Sequence, residues 1–182
     1  MKKGKKTYVK LLVSILTVML TLTCFVTPAP IKAADVITGV GYTFNPDDGE
    51  LTVNTDTGTF NWRDDTNIDK AKVMSINFGN LVTQIYSNAF SDCTSLESVV
   101  IPNTIEKMND AAFAGCANLK KAEISDSVKT MGVYIFKDCT SLENVKLPAN
   151  LESIAMRTFR GCSNLESIIL PGNLKTINDE AF

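Results

Sequence analysis

Asn88-Ala89-Phe90-Ser91-Asp92-Cys93-Thr94-Ser95-Leu96-Glu97-Ser98-Val99-Val100-Ile101-Pro102 opens the unit that decides the fold, and the unit continues through Ile105 and Met108. Phe90 returns as Phe113, Phe136, Phe159 and Phe182, always 23 residues on. The other apolar positions keep that phase. Cys93 is followed by Cys116, Cys139 and Cys162, and Leu96 by Leu119, Leu142 and Leu165. Val99, Ala122, Val145 and Ile168 come next, then Ile101, Ile124, Leu147 and Leu170. A second apolar pair closes each unit: Ile105/Met108, Val128/Met131, Leu151/Ile154 and Leu174/Ile177. So strict a period is the signature of a repeat architecture.

One such unit has too few apolar side chains to enclose a core, so copies must stack, each column burying itself on the next while the backbones pair as parallel strands. Leu96, Val99 and Ile101 fit the inward positions of a strand. Asn88–Cys93, with apolar residues three apart and no β-branched residue, suits a helical turn. One strand, a second short strand and one helical turn per rung are therefore expected, with the phenylalanines forming an internal spine. Proline follows the first strand at Pro102, Pro148 and Pro171, where its lost donor and fixed φ mark the turn. Ser125 stands there in the second unit and is expected to loosen that corner.

Residues 35–69 leave the phase. Tyr42-Thr43-Phe44 and Glu50-Leu51-Thr52-Val53 alternate around Pro46-Asp47-Asp48-Gly49, a hairpin pattern. Thr59-Phe60-Asn61-Trp62 is read as a further strand, and Trp62 as a packing residue of this cap. At the N-terminus Lys2, Lys3, Lys5, Lys6 and Lys10 precede an uncharged apolar run of 16 residues, Leu11–Val26. That is short for a membrane span, and Pro28, Pro30 and the Ala33/Ala34 pair follow it. Residues 1–33 read as an export signal cleaved before Ala34; an uncleaved anchor and lipidation at Cys24 are the weaker rivals. Expected domains are thus a signal at 1–33, a β-rich cap at 34–69 and a solenoid at 70–182, with one degenerate rung and about four 23-residue repeats, the last incomplete.

Loss of the signal removes six of the 18 basic residues and no acidic one, leaving 12 against 20 and a net charge of −8. Unclustered lysines on an acidic chain argue against a nucleic-acid groove or an anionic-membrane patch, so neither partner is expected. The chain has no histidine, which excludes Ser-His-Asp and Cys-His catalysis and most zinc sites. No catalytic residue, metal site or cofactor is assigned. The repeat cysteines contain no C-x-x-C pair and should stand one per rung; buried free thiols are favoured over disulfides and over a metal. Asp47, Asp48 and Glu50 lack the ligand spacing of a calcium loop.

These residues resemble the BspA-like leucine-rich repeats of bacterial surface proteins, whose unit runs approximately L-x-x-[IVL]-x-[IL]-P-x-x-[IVL]-x-x-I-x-x-x-A-F-x-x-C-x-x. Asn88–Phe182 matches in phase, and Val73–Phe78 with Val82 and Ile85 supplies an earlier, half-degenerate rung. The glycine usual after the isoleucine of the second pair is kept only at Gly132, with Asn109, Ala155 and Asn178 in its place elsewhere. With its stop at Phe182, in mid-rung, the sequence reads as the N-terminal part of a longer protein or as a truncated gene product. The resemblance implies a leucine-rich-repeat solenoid of stacked parallel strands with short helical turns behind a β-hairpin cap, exported or displayed on the cell surface. It also implies adhesion to protein or matrix components.

The strand assignment points three columns outward: Glu97/Lys120/Glu143/Glu166, Ser98/Lys121/Asn144/Ser167 and Val100/Glu123/Lys146/Ile169. They are the candidate binding face, and an ordinary solvated sheet face is the competing reading of the same residues. For the whole chain, the alternative to a binding module is a structural spacer carrying a further domain. Oligomeric state is left open.

Overall fold

The computed structural model describes residues 35–182; the export signal and the Cys24 lipidation site fall outside the described residues. The chain starts as an antiparallel meander of β1 (Ile37–Gly39), β2 (Tyr42–Asn45) and β3 (Glu50–Thr55). Gly49, at φ +70°, closes the β2–β3 hairpin, and a Cβ there would lie 2.4 Å from the Lys72 carbonyl. β3 then pairs in parallel with β4 (Ser75–Leu81), Leu51 opposite Ile76 and Val53 opposite Phe78. The last cap strand therefore serves as the first member of the stack. It hides the inner side of the degenerate rung, whose second strand is β5 (Gln84–Ile85).

Thr59–Trp62 is not a strand. Gly58–Asn61 is a single helical turn, α1, and a 3-10 turn covers Trp62–Asp64. Local polar groups start it: Thr55 Oγ1 accepts from the Gly58 N–H at 3.1 Å, and the Thr59 hydroxyl donates to Asp56 O at 2.7 Å. The outcome is that Trp62 is fully buried, its ring stacked on Phe90 at 5.8 Å and 19°.

Three regular rungs follow. β6 (Ser98–Ile101), β8 (Lys121–Ile124) and β10 (Asn144–Lys146) form one parallel sheet in register, Ser98 opposite Lys121 opposite Asn144. β7 (Lys107–Met108) and β9 (Thr130–Met131) extend β5 on a second side, and β11 (Ser153–Ile154) pairs with β12 (Thr176–Ile177). Inward Val99, Ile101, Ala122 and Ile124 are buried and outward Ser98, Val100 and Lys121 exposed, the alternation that a half-buried strand requires.

The third side is made of the expected turns. Ala89 donates to Tyr86 O and Ser91 to Asn88 O, i→i+3 bonds, while Asn88, Phe90 and Asp92 donate across to Asp110, Ala112 and Ala114 at 2.8–2.9 Å. The same cross-rung bonds recur from Ala111, Phe113 and Gly115 and from Tyr134, Phe136 and Asp138. Between the rungs that carry β6 and β8 all three sides of the coil are thus hydrogen-bonded, whereas no backbone bond joins β4 to β6 on the first side or β9 to β11 on the second. The geometry puts Asn88, Ala111, Tyr134, Arg157 and Glu180 at φ 50–63°. Those N–H groups are fixed by the following rung, except that of Glu180, and the bond offsets the cost of left-handed backbone in residues with a Cβ. A second left-handed column alternates Asp92, Gly115, Asp138, Gly161; a Cβ on Gly115 would sit 2.3 Å from Asp92 Oδ1.

The spine is continuous. Ring centroids separate by 5.2, 5.8, 5.7 and 5.4 Å from Phe90 to Phe182, with interplanar angles of 9–22°. At the start, Asp56 replaces the carbonyls that a preceding rung would offer β5: its carboxylate accepts from Thr83 N at 2.6 Å and Gln84 N at 3.0 Å. Ser125 does not loosen its corner. It donates its N–H to Ile101 O at 3.2 Å, a bond that proline cannot make.

Candidate binding face

The sheet β6–β8–β10 is where the structure brings most of the candidate residues together. Its hydrogen bonds and its buried inner side hold the backbone rigid, so each outward side chain has a fixed origin and only its own rotamers to vary. Ser98, Lys121 and Asn144 lie side by side on the solvent side, as do Val100, Glu123 and Lys146. Glu97, Lys120 and Glu143 precede the strands, joined by bonds from Lys120 N to Glu97 O (2.8 Å) and Glu143 N to Lys120 O (3.0 Å). All are exposed except Glu123, which is half-buried. Val100 is 62% exposed, an apolar residue left outward on an otherwise polar face.

Two ion pairs lie on the face, one between rungs and one along β8. The Lys120 ammonium meets Glu97 Oε2 at 3.1 Å and that of Lys121 meets Glu123 Oε1 at 2.6 Å. Hydrogen bonding from Lys121 holds the Glu123 carboxyl below the usual carboxylate range. Such exposed pairs contribute little to stability. Glu143, Lys146 and Glu166 have no ion pair among the described residues.

The fourth member of each column behaves differently. Glu166, Ser167 and Ile169 are exposed, Ile169 by 88%, but the strand expected at Ser167–Leu170 does not form. No backbone hydrogen bond joins residues 166–170 to β10. Ile168 and Leu170 lack the full burial that Val99 and Ile101 have, and the ladder stops with the support. Clefts open at this junction: about 360 Å³ among Lys121, Asn144, Lys146 and Ile169, about 390 Å³ over Leu147, Ala149, Leu170 and Pro171, and about 530 Å³ around Glu143, Ser163 and Glu166. A further cleft of about 310 Å³ lies on the same side between Val100, Glu123 and Lys146.

The thiols face inward, away from this surface. Cys93, Cys116, Cys139 and Cys162 are free; Cys116, Cys139 and Cys162 each donate Sγ–H to the phenylalanine carbonyl of the preceding rung at 3.1 Å. Burial pushes Cys93 and Cys162 up to about 12. Hydrogen bonding with Cys116, together with burial, raises Cys139 further. These are packing groups. Among the described residues no group of three or more histidine, cysteine or carboxylate side chains could hold a metal. No helix there is long and apolar enough to cross a membrane.

A sequence profile for the BspA type leucine rich repeat region matches residues 66–182 in six copies. The chain belongs to the BspA-type leucine-rich repeat family. Two solved structures share the fold of this BspA-type chain. A leucine-rich repeat protein from T. pallidum aligns over 81% of this chain and 66% of its own at 22% identity and TM-score 0.57. One from Eubacterium ventriosum aligns over 81% and 49% at 18% identity and TM-score 0.50. A leucine rich cell surface protein from Faecalibacterium prausnitzii aligns over 61% and 45% at 20% identity and TM-score 0.49. The chain therefore spans less than two thirds of the length of each of these structures. No curated protein is a significant match.

Proposed function

We propose that this BspA-type solenoid is an exported, non-catalytic binding module that adheres to protein or cell-surface and matrix components through the solvent side of β6, β8 and β10. The residues that meet the partner are Glu97, Ser98, Val100, Lys120, Lys121, Glu123, Glu143, Asn144 and Lys146, extended by Glu166, Ser167 and Ile169. One observation carries the reading: four clefts gather on this side, between side chains of both signs held on a rigid ladder. Ligand sites are concave and rest on a preformed scaffold, as here. Export follows from the lysine-rich start and short apolar run, and N-terminal sequencing of secreted material should find Ala34 first.

An array of extracellular-matrix proteins and cell-wall components, probed with the purified protein at rising ionic strength, tests the reading. Salt-resistant binding that Val100→Asp removes supports it. Binding to nothing on the array favours the spacer.

A further inference from the structure

We propose that the open edge of β10 receives an extended peptide strand, one that presents a basic residue and, four positions later, an aliphatic residue. The inference rests on the strand side being the binding face and names both the class of partner and the place where it lies.

Counting β4 of the degenerate rung, the repeat supplies five in-phase segments on this side, and only the middle three pair with one another. β10 is one outer member of the order β6–β8–β10, and β6 is the other. Glu143 N and Asn144 N both reach Lys120 O, yet nothing equivalent runs from residues 166–170 back to Glu143. The other two sides of the same rung are closed, by the β11–β12 pair and by Phe159 N to Ala181 O at 2.7 Å. The interruption thus lies on one side of a rung that is otherwise docked, as the breaks between β4 and β6 and between β9 and β11 each lie on one side only. The break beside β10 is the one flanked by two carboxylates without an ion pair among the described residues. A strand edge with unpaired amides and carbonyls is a template for another strand, and main-chain bonding of this kind supplies affinity while side-chain pockets supply selection.

The clefts beside that edge differ in chemistry from end to end. At the start of β10 lie Glu143 and Glu166, with Asn144, Ser163 and Ser167, and neither carboxylate has an ion pair among the described residues. Past its end lie Leu147, Ile169, Leu170 and Pro171. From Glu143 to Leu147 is four residues, about 13 Å of extended chain at roughly 3.3 Å each. A parallel strand continuing the ladder would set a lysine or arginine against the two carboxylates and an aliphatic side chain against the apolar end. The carboxylates would repel a nucleic acid or an anionic lipid surface.

The probe is the end-blocked peptide Thr-Lys-Thr-Val-Thr-Leu-Thr, titrated into the purified protein by calorimetry, with amide hydrogen exchange followed in parallel. Saturable one-to-one binding is expected, weakened about tenfold by E143Q/E166Q and by exchange of the peptide lysine for glutamate. N-methylation of alternate peptide amides on the bonding edge should abolish it. In the free protein the amides of residues 166–170 should exchange freely. No saturable binding by a folded protein, or binding indifferent to N-methylation and to the glutamate pair, overturns the proposal. So does protection of residues 166–170 in the free protein, which would mean that the chain's own segment fills the edge, or occupancy of the edge by a second copy, read as a concentration-dependent dimer. Because array binding through Val100 is measured separately, loss of this proposal leaves the broader reading standing.

Discussion

Phe136→Ala should cost about 3–5 kcal/mol, the range for emptying a buried aromatic site. Phe136 is fully buried, with Phe113 at 5.8 Å and Phe159 at 5.7 Å stacked on its two faces. The alanine loses the transfer energy of the ring and both stacking partners, and leaves a cavity that two hydrogen-bonded rungs cannot collapse into. Against a total stability on the order of 5–15 kcal/mol that is a large fraction. The position adds a second effect. In a stack stabilised by nearest-neighbour interfaces, a break at the third phenylalanine uncouples the two ends. Trp62, the single tryptophan, sits at the first end and stacks on Phe90, so its fluorescence reports that end while far-ultraviolet circular dichroism reports the whole. Urea titration of the wild type should give one coincident transition; in Phe136→Ala the dichroism midpoint should fall below the fluorescence midpoint. Phe182, 54% exposed, is the control, and its alanine variant should lose clearly less. A loss below about 1 kcal/mol at Phe136, or an equal loss at both positions, would refute the stacked spine.

Asp56→Ala should destabilise by about 0.5–2 kcal/mol, as loss of a helix cap does, because Thr83 N and Gln84 N lose their acceptor; thermal melts check this. Burial raises the Asp56 pKa, but the hydrogen bonds from Thr83 and Gln84 outweigh it and leave the carboxyl below its ordinary value. Its stabilisation is therefore complete above the unfolded value near 4 and disappears as pH falls through the lower folded value, so Asp56→Asn should flatten the acid limb of stability against pH. Ala111, at φ 54°, should accept glycine with a gain of up to about 1 kcal/mol, whereas Gly115→Ala should lose about 1–2 kcal/mol against Asp92 in chemical denaturation. Iodoacetamide at pH 8 should leave Cys93, Cys116 and Cys139 unmodified until the chain unfolds, with mass spectrometry as readout; rapid labelling of the folded protein would contradict the buried thiol column.

What could be read from residues alone was whatever repeats. The 23-residue phase placed the phenylalanine spine, the thiol column and the strands at Val99–Ile101 and Ala122–Ile124, because each inward position recurs with the same chemistry. The cap has no second copy to average over. Thr59–Trp62 alternates like a strand, and nothing local showed that Trp62 reaches the ring of Phe90, as it does from a helical turn. That β3 pairs in parallel with β4 is likewise a long-range fact, invisible in a hairpin pattern. The left-handed column Asn88, Ala111, Tyr134, Arg157 shares no residue type, since bonding by the next rung holds the conformation. On the candidate face, the outward columns were legible through alternation. The unpaired segment at Ser167–Leu170 was not, because its sequence is as regular as that of the strands that form.

The measurement that tests the binding account most directly compares the two three-stranded parallel sheets. Whatever component the array identifies, its affinity should be measured for Val100→Asp and Lys146→Glu, on the β6–β8–β10 side, and for Lys107→Glu, exposed on β7 of the second sheet. The account predicts at least a tenfold loss for each of the first two and an unchanged affinity for the third. Equal losses on both sides, or a loss at Lys107 alone, would contradict it.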